Sequence, residues 1–233
     1  MLLYLYPMTR KLFYFVRHGE SLLNAAGIRQ GSDGSLSESG KMQAKVTGER
    51  LAHHPIQIIL ASPYIRTRET ADIINKCFSK SRTIEFSDLL KERRNPSEIV
   101  GQSMNDPAVK RIVDTIDKSY HTDEYRFSDE ENFQDLKTRA KDLLDWLSER
   151  PEEFLLVVTH GIFLRMVIAY IIYGEQLNSA TYNTLGFLNT SNNAAVTVCE
   201  YKKGWFGPPK DQRWKLIAWD DYSKNESPQS RGI

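Results

Sequence analysis

With 233 residues, the chain is long enough for one α/β domain with a sizeable core and an inserted cap. Its formal net charge of +1 excludes a broad nucleic-acid-binding face, because such faces carry a clear basic excess, so any attraction to anions must be local. Two cysteines, Cys77 and Cys199, stand far apart without metal-ligand spacing, which indicates buried thiols in a reducing compartment. The longest apolar stretch, residues 162–173, is interrupted by Arg165 and is too short to cross a bilayer. We therefore expect a cytoplasmic protein without membrane attachment.

The first part of the chain alternates apolar runs with amphipathic segments. Residues 12–16 and 56–61 predict buried strands, and residues 83–86 predict a third strand at a sheet edge. Ser37 is the predicted N-cap of one helix, and Ser62 followed by Pro63 predicts the start of another that runs to about residue 78.

Residues 93–129 differ in character and predict a lid of helices and loops inserted between core elements. Asp106 and Pro107 begin a helix, and the polar stretch that includes His121 follows it. The predicted apolar face of this helix comprises Val109, Ile112, Val113, Ile116 and Tyr120.

The rest of the chain returns to strands and helices. Ser128 and Glu131 have capping-box spacing and predict the start of a long amphipathic helix. A buried strand at 154–159 and an apolar helix at 161–173 follow, then a strand pair at 195–201 and 213–220 and a disordered tail from 223. This alternation predicts a single domain over residues 1–233, a three-layer α/β/α sandwich with a mostly parallel central sheet and the inserted helical lid.

Polar residues follow three of the predicted strands. Arg17 and His18 come directly after the first strand, Arg66 lies in the first turn of the helix after the second, and His160 closes the strand at 154–159. Ligands of open α/β sheets bind beyond the carboxyl ends of the strands. If these strands are neighbours, the four side chains meet at one rim.

Such a group of side chains suits phosphoryl transfer. Two guanidinium groups hold phosphate oxygens in bidentate fashion, and helix N-termini such as the one at Gly161 favour anions. A neutral imidazole can attack phosphorus, and nearby arginines keep it unprotonated by lowering its pKa. A second imidazole, when protonated, stabilises charge on the transferred group. The chemistry also needs a carboxyl group that protonates the leaving oxygen and later activates water.

Four segments of the chain, taken in order, resemble the histidine phosphatase superfamily, which includes cofactor-dependent phosphoglycerate mutases and many phosphatases. The segments are RHGES with Asn24 six residues after His18, LSESGKMQA after the Gln30–Gly31 pair, SPYIRTRETA, and VVTHG. The matches extend from Leu12 to Phe163 in the order the family has them.

The resemblance implies a role for each matching residue. His18 is implied as the nucleophile that becomes phosphorylated, with Arg17, Arg66, His160 and Gly161 around the phosphate. By the same resemblance, Asn24 also binds the phosphate and Ser62 helps to orient His18. Neither a metal nor another cofactor is implied.

The identity of the acid is a separate question. The family places a glutamate soon after the edge strand, often in Leu-x-Glu, and Leu90-Lys91-Glu92 fits that pattern. The following segment, RRNPSEIVG, departs from the family's usual Gly and Trp-Glu-Gly. Glu92 is the predicted acid, with Asp88 and Glu98 as the alternatives.

The resulting hypothesis is a metal-independent phosphomonoester hydrolase that acts on a small phosphorylated metabolite. Three alternatives stay open: a phosphoglycerate-type mutase, a non-catalytic protein that binds phosphorylated ligands, and a protein-phosphohistidine phosphatase. Arg93 and Arg94, next to Glu92, are candidates for recognising a second acidic group or form a solvated charge pair. The sequence leaves the substrate and the oligomeric state open.

Overall fold

The computed structural model describes residues 9–119, 124–189, 191–203 and 213–222. Its strands are β1 (Thr9–Arg17), β2 (Ile58–Ala61), β3 (Thr83–Phe86), β4 (Phe154–Thr159), β5 (Val196–Lys203) and β6 (Trp214–Asp221). They form one sheet in the order β3-β2-β4-β1-β5-β6. Strand β3 lies at the sheet edge, as the sequence predicts.

The helices are α1 (Leu22–Ala25), α2 (Glu38–Leu51), α3 (Ile65–Cys77), α4 (Pro107–Ser119), α5 (Phe133–Glu149), α6 (Gly161–Tyr173) and α7 (Ser179–Thr184). Short 3₁₀ turns lie at Asp88–Leu90, Ser97–Ile99, Gly174–Gln176 and Gly186–Asn189. The sequence predicts the five longer helices, whereas α1 and α7 are too short to show an apolar periodicity.

The order of the strands brings the predicted site residues together. Strand β4 pairs in parallel with both β1 and β2, with Arg17 opposite Thr159 and Ala61 opposite Val158. Strands β5 and β6 add an antiparallel pair beyond β1. The carboxyl ends of β1, β2 and β4 therefore share one rim of the sheet, which is the condition that the sequence argument requires.

Helices cover both faces of the sheet because the central strands are apolar on both sides. Phe13 and Phe15 of β1 pack in one buried cluster with residues of α5 and α6. Tyr14 and Val16, which point the other way, pack in a second cluster with residues of α2 and α3. The predicted three-layer α/β/α architecture is thus confirmed.

The predicted lid segment contains α4, which packs on the core through its apolar face. Val109 and Ile116 are buried, and Ile116 belongs to the same cluster as Phe13. Tyr120, His121 and the tail from residue 223 lie outside the described residues, so the disordered tail stays a prediction.

Two predicted helix starts are wrong. Helix α5 begins at Phe133, because Asn132 and Asp135 form the reciprocal capping box. The carboxylate of Glu131 is instead bound by Arg139, 2.8 Å away. Helix α3 begins at Ile65, since the N–H of Ser62 still bonds to the sheet through the carbonyl of Val158 at 3.0 Å.

The cysteines also differ from expectation. Cys199 is buried in the sheet, as predicted, but Cys77 at the end of α3 is partly exposed. Both thiols are free. Across the described ranges, no three or more His, Cys, Asp and Glu side chains are grouped so that they could hold a metal ion. Nor does any described helix combine the length and the apolarity needed to span a membrane.

The first turn of α2 packs directly on the loop that follows β1. A Cβ atom placed on Gly40 would lie 2.0 Å from the carbonyl oxygen of Glu20, and one on Gly19 would lie 2.4 Å from the carbonyl oxygen of Gly40. Real Cβ atoms do not approach backbone atoms so closely. Glycine at both positions therefore lets α2 support the loop that carries His18.

We expect Gly40→Ala to destabilise the protein by about 1–3 kcal/mol through this overlap. The result would be diagnostic because alanine in a helix is normally favoured over glycine by about 1 kcal/mol. Urea unfolding measures the change, with Ser39→Ala as the matched control on an exposed position of the same turn. A Gly40→Ala variant as stable as wild type would contradict the close approach.

Candidate active site

His18 is buried directly after β1, with only 2% of its surface exposed. Its N–H donates to the carbonyl of Thr159 at 2.9 Å, which continues the pairing of β1 with β4. Nδ1 lies 2.7 Å from the carbonyl oxygen of Gly19. Because a carbonyl only accepts hydrogen bonds, Nδ1 carries the proton and donates it, and Nε2 keeps its lone pair.

Arg66 hydrogen-bonds to Nε2, the unprotonated ring nitrogen of His18. Its Nε donates to Nε2 of His18 at 3.2 Å, and its Nη1 donates to the carbonyl oxygen of Gly31 at 2.7 Å. The side chain is 1% exposed, and its guanidinium lies 5.1 Å from the centre of the Tyr64 ring. A guanidinium fixed in this way is positioned to hold an anion in front of the imidazole.

Arg17 ends β1 and reaches the loop before β5. Its Nη1 donates to the carbonyl oxygen of Ser191, and its buried Nε has no hydrogen-bond partner among the described residues. A Cβ on Gly161 would lie 3.1 Å from this Nε and 3.3 Å from Oγ of Ser191. Glycine at position 161 therefore makes room for Arg17 beside the start of α6.

His160 completes the group from the end of β4. Its ring is fully buried, and its centre lies 5.2 Å from that of His18 in an edge-on arrangement. Nε2 lies 2.9 Å from Oγ of Ser62, whereas the buried Nδ1 has no partner in the described part of the chain. Ser62 is predicted to orient His18, but its hydroxyl hydrogen-bonds to His160 instead. The carbonyl of Gly19 orients His18.

Both imidazoles are held in the neutral form. Burial lowers the pKa of His18 well below its usual range, and the charges of Arg66 and Arg17 lower it further. Burial, Arg66 and His18 lower the pKa of His160 in the same direction. His160 is therefore neutral as well, and the positive charge expected on it is absent.

We expect His18 to stay neutral at pH values where ordinary histidines protonate. With a folded pKa below the usual 6.5, its protonation is displaced to lower pH. Nitrogen-15 NMR of the histidine side chains, titrated from pH 8 to 5, measures this directly. Because the unfolded state binds more protons in that window, the free energy of unfolding also falls as the pH drops below about 6.5. A midpoint for His18 at or above 6.5 would contradict the electrostatics.

Glu92 lies at the start of α6. Its Oε1 accepts from the N–H groups of Phe163 and Arg93, both at 2.9 Å, and its Oε2 accepts from the N–H of Ile162 at 3.3 Å. The N-terminus of α6 thus fixes the carboxylate. The electrostatic field of Glu92 reaches Arg17 and Arg66 and favours their charged forms.

The two alternative acids lie elsewhere. The Asp88 side chain is 78% exposed and pairs with Lys91 at 2.8 Å. Glu98 is exposed on the following turn. Neither lines the cavity described below, whereas Glu92 does. Among the three candidates, only Glu92 lines this cavity.

Asn24 belongs to a small polar network at the cavity wall. Oγ of Ser21 lies 2.9 Å from Oδ1 of Asn24 and 2.8 Å from Oε1 of Gln30, and it accepts from the N–H of Asn24 at 3.1 Å. With its oxygen turned to Ser21, the Asn24 amide can present its nitrogen to an anion.

Several of these residues line a cavity of about 500 Å³, a size typical of small-molecule sites, whereas the buried His160 and Ser62 lie behind its lining. The lining comprises Arg17, His18, Asn24, Ile28, Arg29, Gln30, Arg66, Glu92, Asn95, Met104, Gly161, Ile162, Arg165, Leu188, Ser191 and Asn192. The structure thus brings His18, Arg17, Arg66, Asn24, Glu92 and Gly161 to one space.

Sequence reasoning missed several residues of the site. Arg29 and Arg165 line the cavity, and Asn193 donates from Nδ2 to the carbonyl oxygen of His18 at 3.0 Å. Asn192 is fixed by two hydrogen bonds of 2.7 Å to the carboxylate of Asp220. Only Arg165 leaves a signal in the sequence, as a charge inside an otherwise apolar helix.

Comparison with known proteins agrees with this geometry. The family model of the histidine phosphatase superfamily (branch 1) matches residues 13–207. A probable phosphoglycerate mutase of Erwinia tasmaniensis is 32% identical over 166 residues, which cover 68% of this chain and 74% of that protein. A metal-independent phosphoserine phosphatase of Arabidopsis thaliana is 28% identical over 212 residues, 89% of this chain and 80% of that protein.

Among solved structures, Bacillus stearothermophilus YhfR has the same fold, with a TM-score of 0.73 and 23% identity. The alignment covers 91% of this chain and 98% of that one. The match of the family model over most of the chain and the shared fold lead to one conclusion. The chain belongs to branch 1 of the histidine phosphatase superfamily.

Proposed function

We propose that the chain is a phosphomonoester hydrolase that forms a covalent phosphohistidine on His18 and needs no metal. The observation that carries this proposal is the state of His18. Its Nδ1 is engaged by the carbonyl of Gly19, its pKa is lowered, and its Nε2 faces the guanidinium of Arg66. A neutral imidazole is a nucleophile for phosphorus once a bound phosphoryl group takes over the hydrogen bond that Arg66 donates to Nε2.

In the first step, Nε2 of His18 attacks phosphorus and the bond from phosphorus to the leaving oxygen breaks. Arg17, Arg66 and Asn24 hold the phosphoryl oxygens, and the N–H of Gly161 adds a donor at the start of α6. The ring of His160, centred 5.2 Å from that of His18, supports the group from behind. Protonated Glu92 gives its proton to the leaving oxygen, so the product leaves as an alcohol.

In the second step, water attacks the phosphorus of phosphohistidine. The Glu92 carboxylate accepts a proton from this water while the phosphorus–nitrogen bond breaks. Inorganic phosphate departs, His18 regains its lone pair, and Glu92 is protonated again for the next cycle. The same carboxyl group thus serves as the acid and then as the base.

Hydrolysis of p-nitrophenyl phosphate in EDTA, with a panel of sugar, acid and nucleotide phosphates, tests the proposal. We expect wild-type turnover to survive chelation and His18→Asn to lose it, since asparagine keeps a donor for Gly19 but has no nucleophilic nitrogen. The exposed His53→Ala is the control. Turnover that persists in His18→Asn, or that disappears in EDTA, would overturn the proposal.

A phosphoglycerate-type mutase is the second candidate, because the Erwinia tasmaniensis relative is a probable phosphoglycerate mutase. The two activities share the first step and differ in whether water or a second substrate takes the phosphoryl group. A coupled assay of 3-phosphoglycerate conversion with a bisphosphate primer separates them. Isomerisation faster than phosphate release would assign the mutase activity.

A further inference from the structure

The cavity carries more positive charge than a single phosphoryl group requires. Its lining residues include four arginines and a single carboxyl group, that of Glu92, and the histidine is neutral. The two negative charges of a phosphoryl group held by Arg17 and Arg66 balance the positive charges of those two arginines. The other two, Arg29 and Arg165, are left without a counter-charge from the phosphoryl group.

Arg29 lines the cavity, and its backbone is hydrogen-bonded to the predicted lid segment. Its N–H donates to the carbonyl of Gln102 at 2.9 Å, and its carbonyl accepts from the N–H of Gly101 at 2.7 Å. Its Nε is buried and has no hydrogen-bond partner among the described residues. Burial and Arg93 lower the pKa of Arg29, and Asp117 offsets them only in part. The cation is therefore kept in place at an energetic cost.

Arg165 approaches the cavity from α6. It lies one turn beyond Gly161 and Ile162, and its guanidinium is stacked 4.5 Å from the centre of the Tyr182 ring. Its Nε is likewise buried without a partner in the described residues. Among the described residues Arg165 has no ion pair, so an anionic ligand is the natural partner of this charge.

We propose that Arg29 and Arg165 form a second anion-binding subsite, which selects phosphomonoesters that carry a further anionic group, a carboxylate or a phosphate. This inference rests on the proposed function, because the first subsite must take the phosphoryl group. Ile28, Met104 and Leu188 also line the cavity and give it apolar walls, against which a short carbon skeleton fits.

The test compares substrates that differ in one anionic group. 3-Phosphoglycerate is paired with glycerol 3-phosphate for the carboxylate, and fructose 1,6-bisphosphate with fructose 6-phosphate for the phosphate. We expect wild type to favour the more anionic member of at least one pair by about tenfold or more in kcat/KM, as for a charge-assisted hydrogen bond. The pair with the higher ratio identifies the anion.

Variants then assign this preference to the two arginines. We expect Arg29→Gln and Arg165→Gln each to lower the ratio of kcat/KM within the favoured pair by about tenfold. A ratio taken within one variant cancels general damage to the active site. Arg111→Gln, which removes an exposed arginine of α4 outside the cavity, is the matched control and should keep the wild-type ratio.

The possible failures are distinguishable. The second subsite is overturned if the wild-type kcat/KM ratio is near one in both substrate pairs. It is also overturned if the ratio persists in the double variant Arg29→Gln/Arg165→Gln. Either result leaves the proposed hydrolase activity standing. If wild type hydrolyses neither these compounds nor p-nitrophenyl phosphate and the rest of the panel, the proposed function fails. Calorimetric dissociation constants of the same compounds for wild type and Arg29→Gln then decide the subsite by the same ratios.

Discussion

Glu92→Gln is expected to slow the hydrolysis of alkyl phosphates by about 10²- to 10⁴-fold, the usual contribution of general acid–base catalysis. Glutamine has no proton to give to a poor leaving group such as an alkoxide. It also cannot accept a proton from the attacking water. Both steps of the proposed reaction therefore lose their catalyst in this variant.

An aryl phosphate separates the two steps. p-Nitrophenolate leaves without protonation, so Glu92→Gln should still form phosphohistidine from p-nitrophenyl phosphate. Hydrolysis of the intermediate is then rate-limiting. Stopped-flow absorbance should record a burst of about one p-nitrophenolate per active site, followed by a slow steady state, the signature of an accumulating covalent intermediate.

Glu98→Gln is the control for this experiment, because it changes an exposed carboxylate a few residues along the chain. The Glu92 carboxylate accepts three backbone hydrogen bonds, so the stability of the variant is checked by urea unfolding. A folded Glu92→Gln variant with equal losses on alkyl and aryl phosphates, and without a burst, would assign Glu92 a structural role only.

The elements that the sequence predicts well are those with the strongest local signals. Uninterrupted apolar runs such as FYFV and LLVV can only be buried on both faces of a sheet, and they become β1 and β4. Arg17 is the last residue of β1, and His18 and His160 directly follow β1 and β4. Once the strands are neighbours and parallel, their polar ends must meet, so the centre of the site follows from the order of segments.

Helix starts are harder to predict because two capping patterns compete within a few residues. Ser128 and Glu131 have the spacing of a capping box, and Asn132 and Asp135 have it four residues later. The second pattern prevails because it starts the helix at Phe133, which is 1% exposed in the core. Only the packed structure decides between the two.

The outer parts of the site depend on contacts between distant segments. Ser62 contacts His160 across 98 positions of the chain, and Asn193 contacts His18 across 175. Arg29 reaches the cavity through its pairing with Gly101 and Gln102. No local pattern encodes such contacts, which is why the sequence predicts the residues at the centre of the site and misses those around them.

Arg66→Gln is expected to lower kcat/KM by about 10²- to 10⁴-fold, because a buried guanidinium that donates two charge-assisted hydrogen bonds is lost. The variant should also change the pH dependence. Removing this cation raises the pKa of His18 toward its usual range, so the acid limb of the kcat/KM profile moves to higher pH. A purely structural role for Arg66 would lower activity without this shift.

Arg66→Lys separates charge from geometry. Lysine keeps a positive charge near His18 and should leave the acid limb close to its wild-type position, but it cannot hold Gly31, His18 and the phosphoryl group at once. Arg68→Lys, on the exposed side of the same helix, is the control. Profiles of kcat/KM from pH 4.5 to 8 measure both effects. If the acid limb lies at the same pH in the wild-type and Arg66→Gln proteins, Arg66 does not set the protonation state of His18.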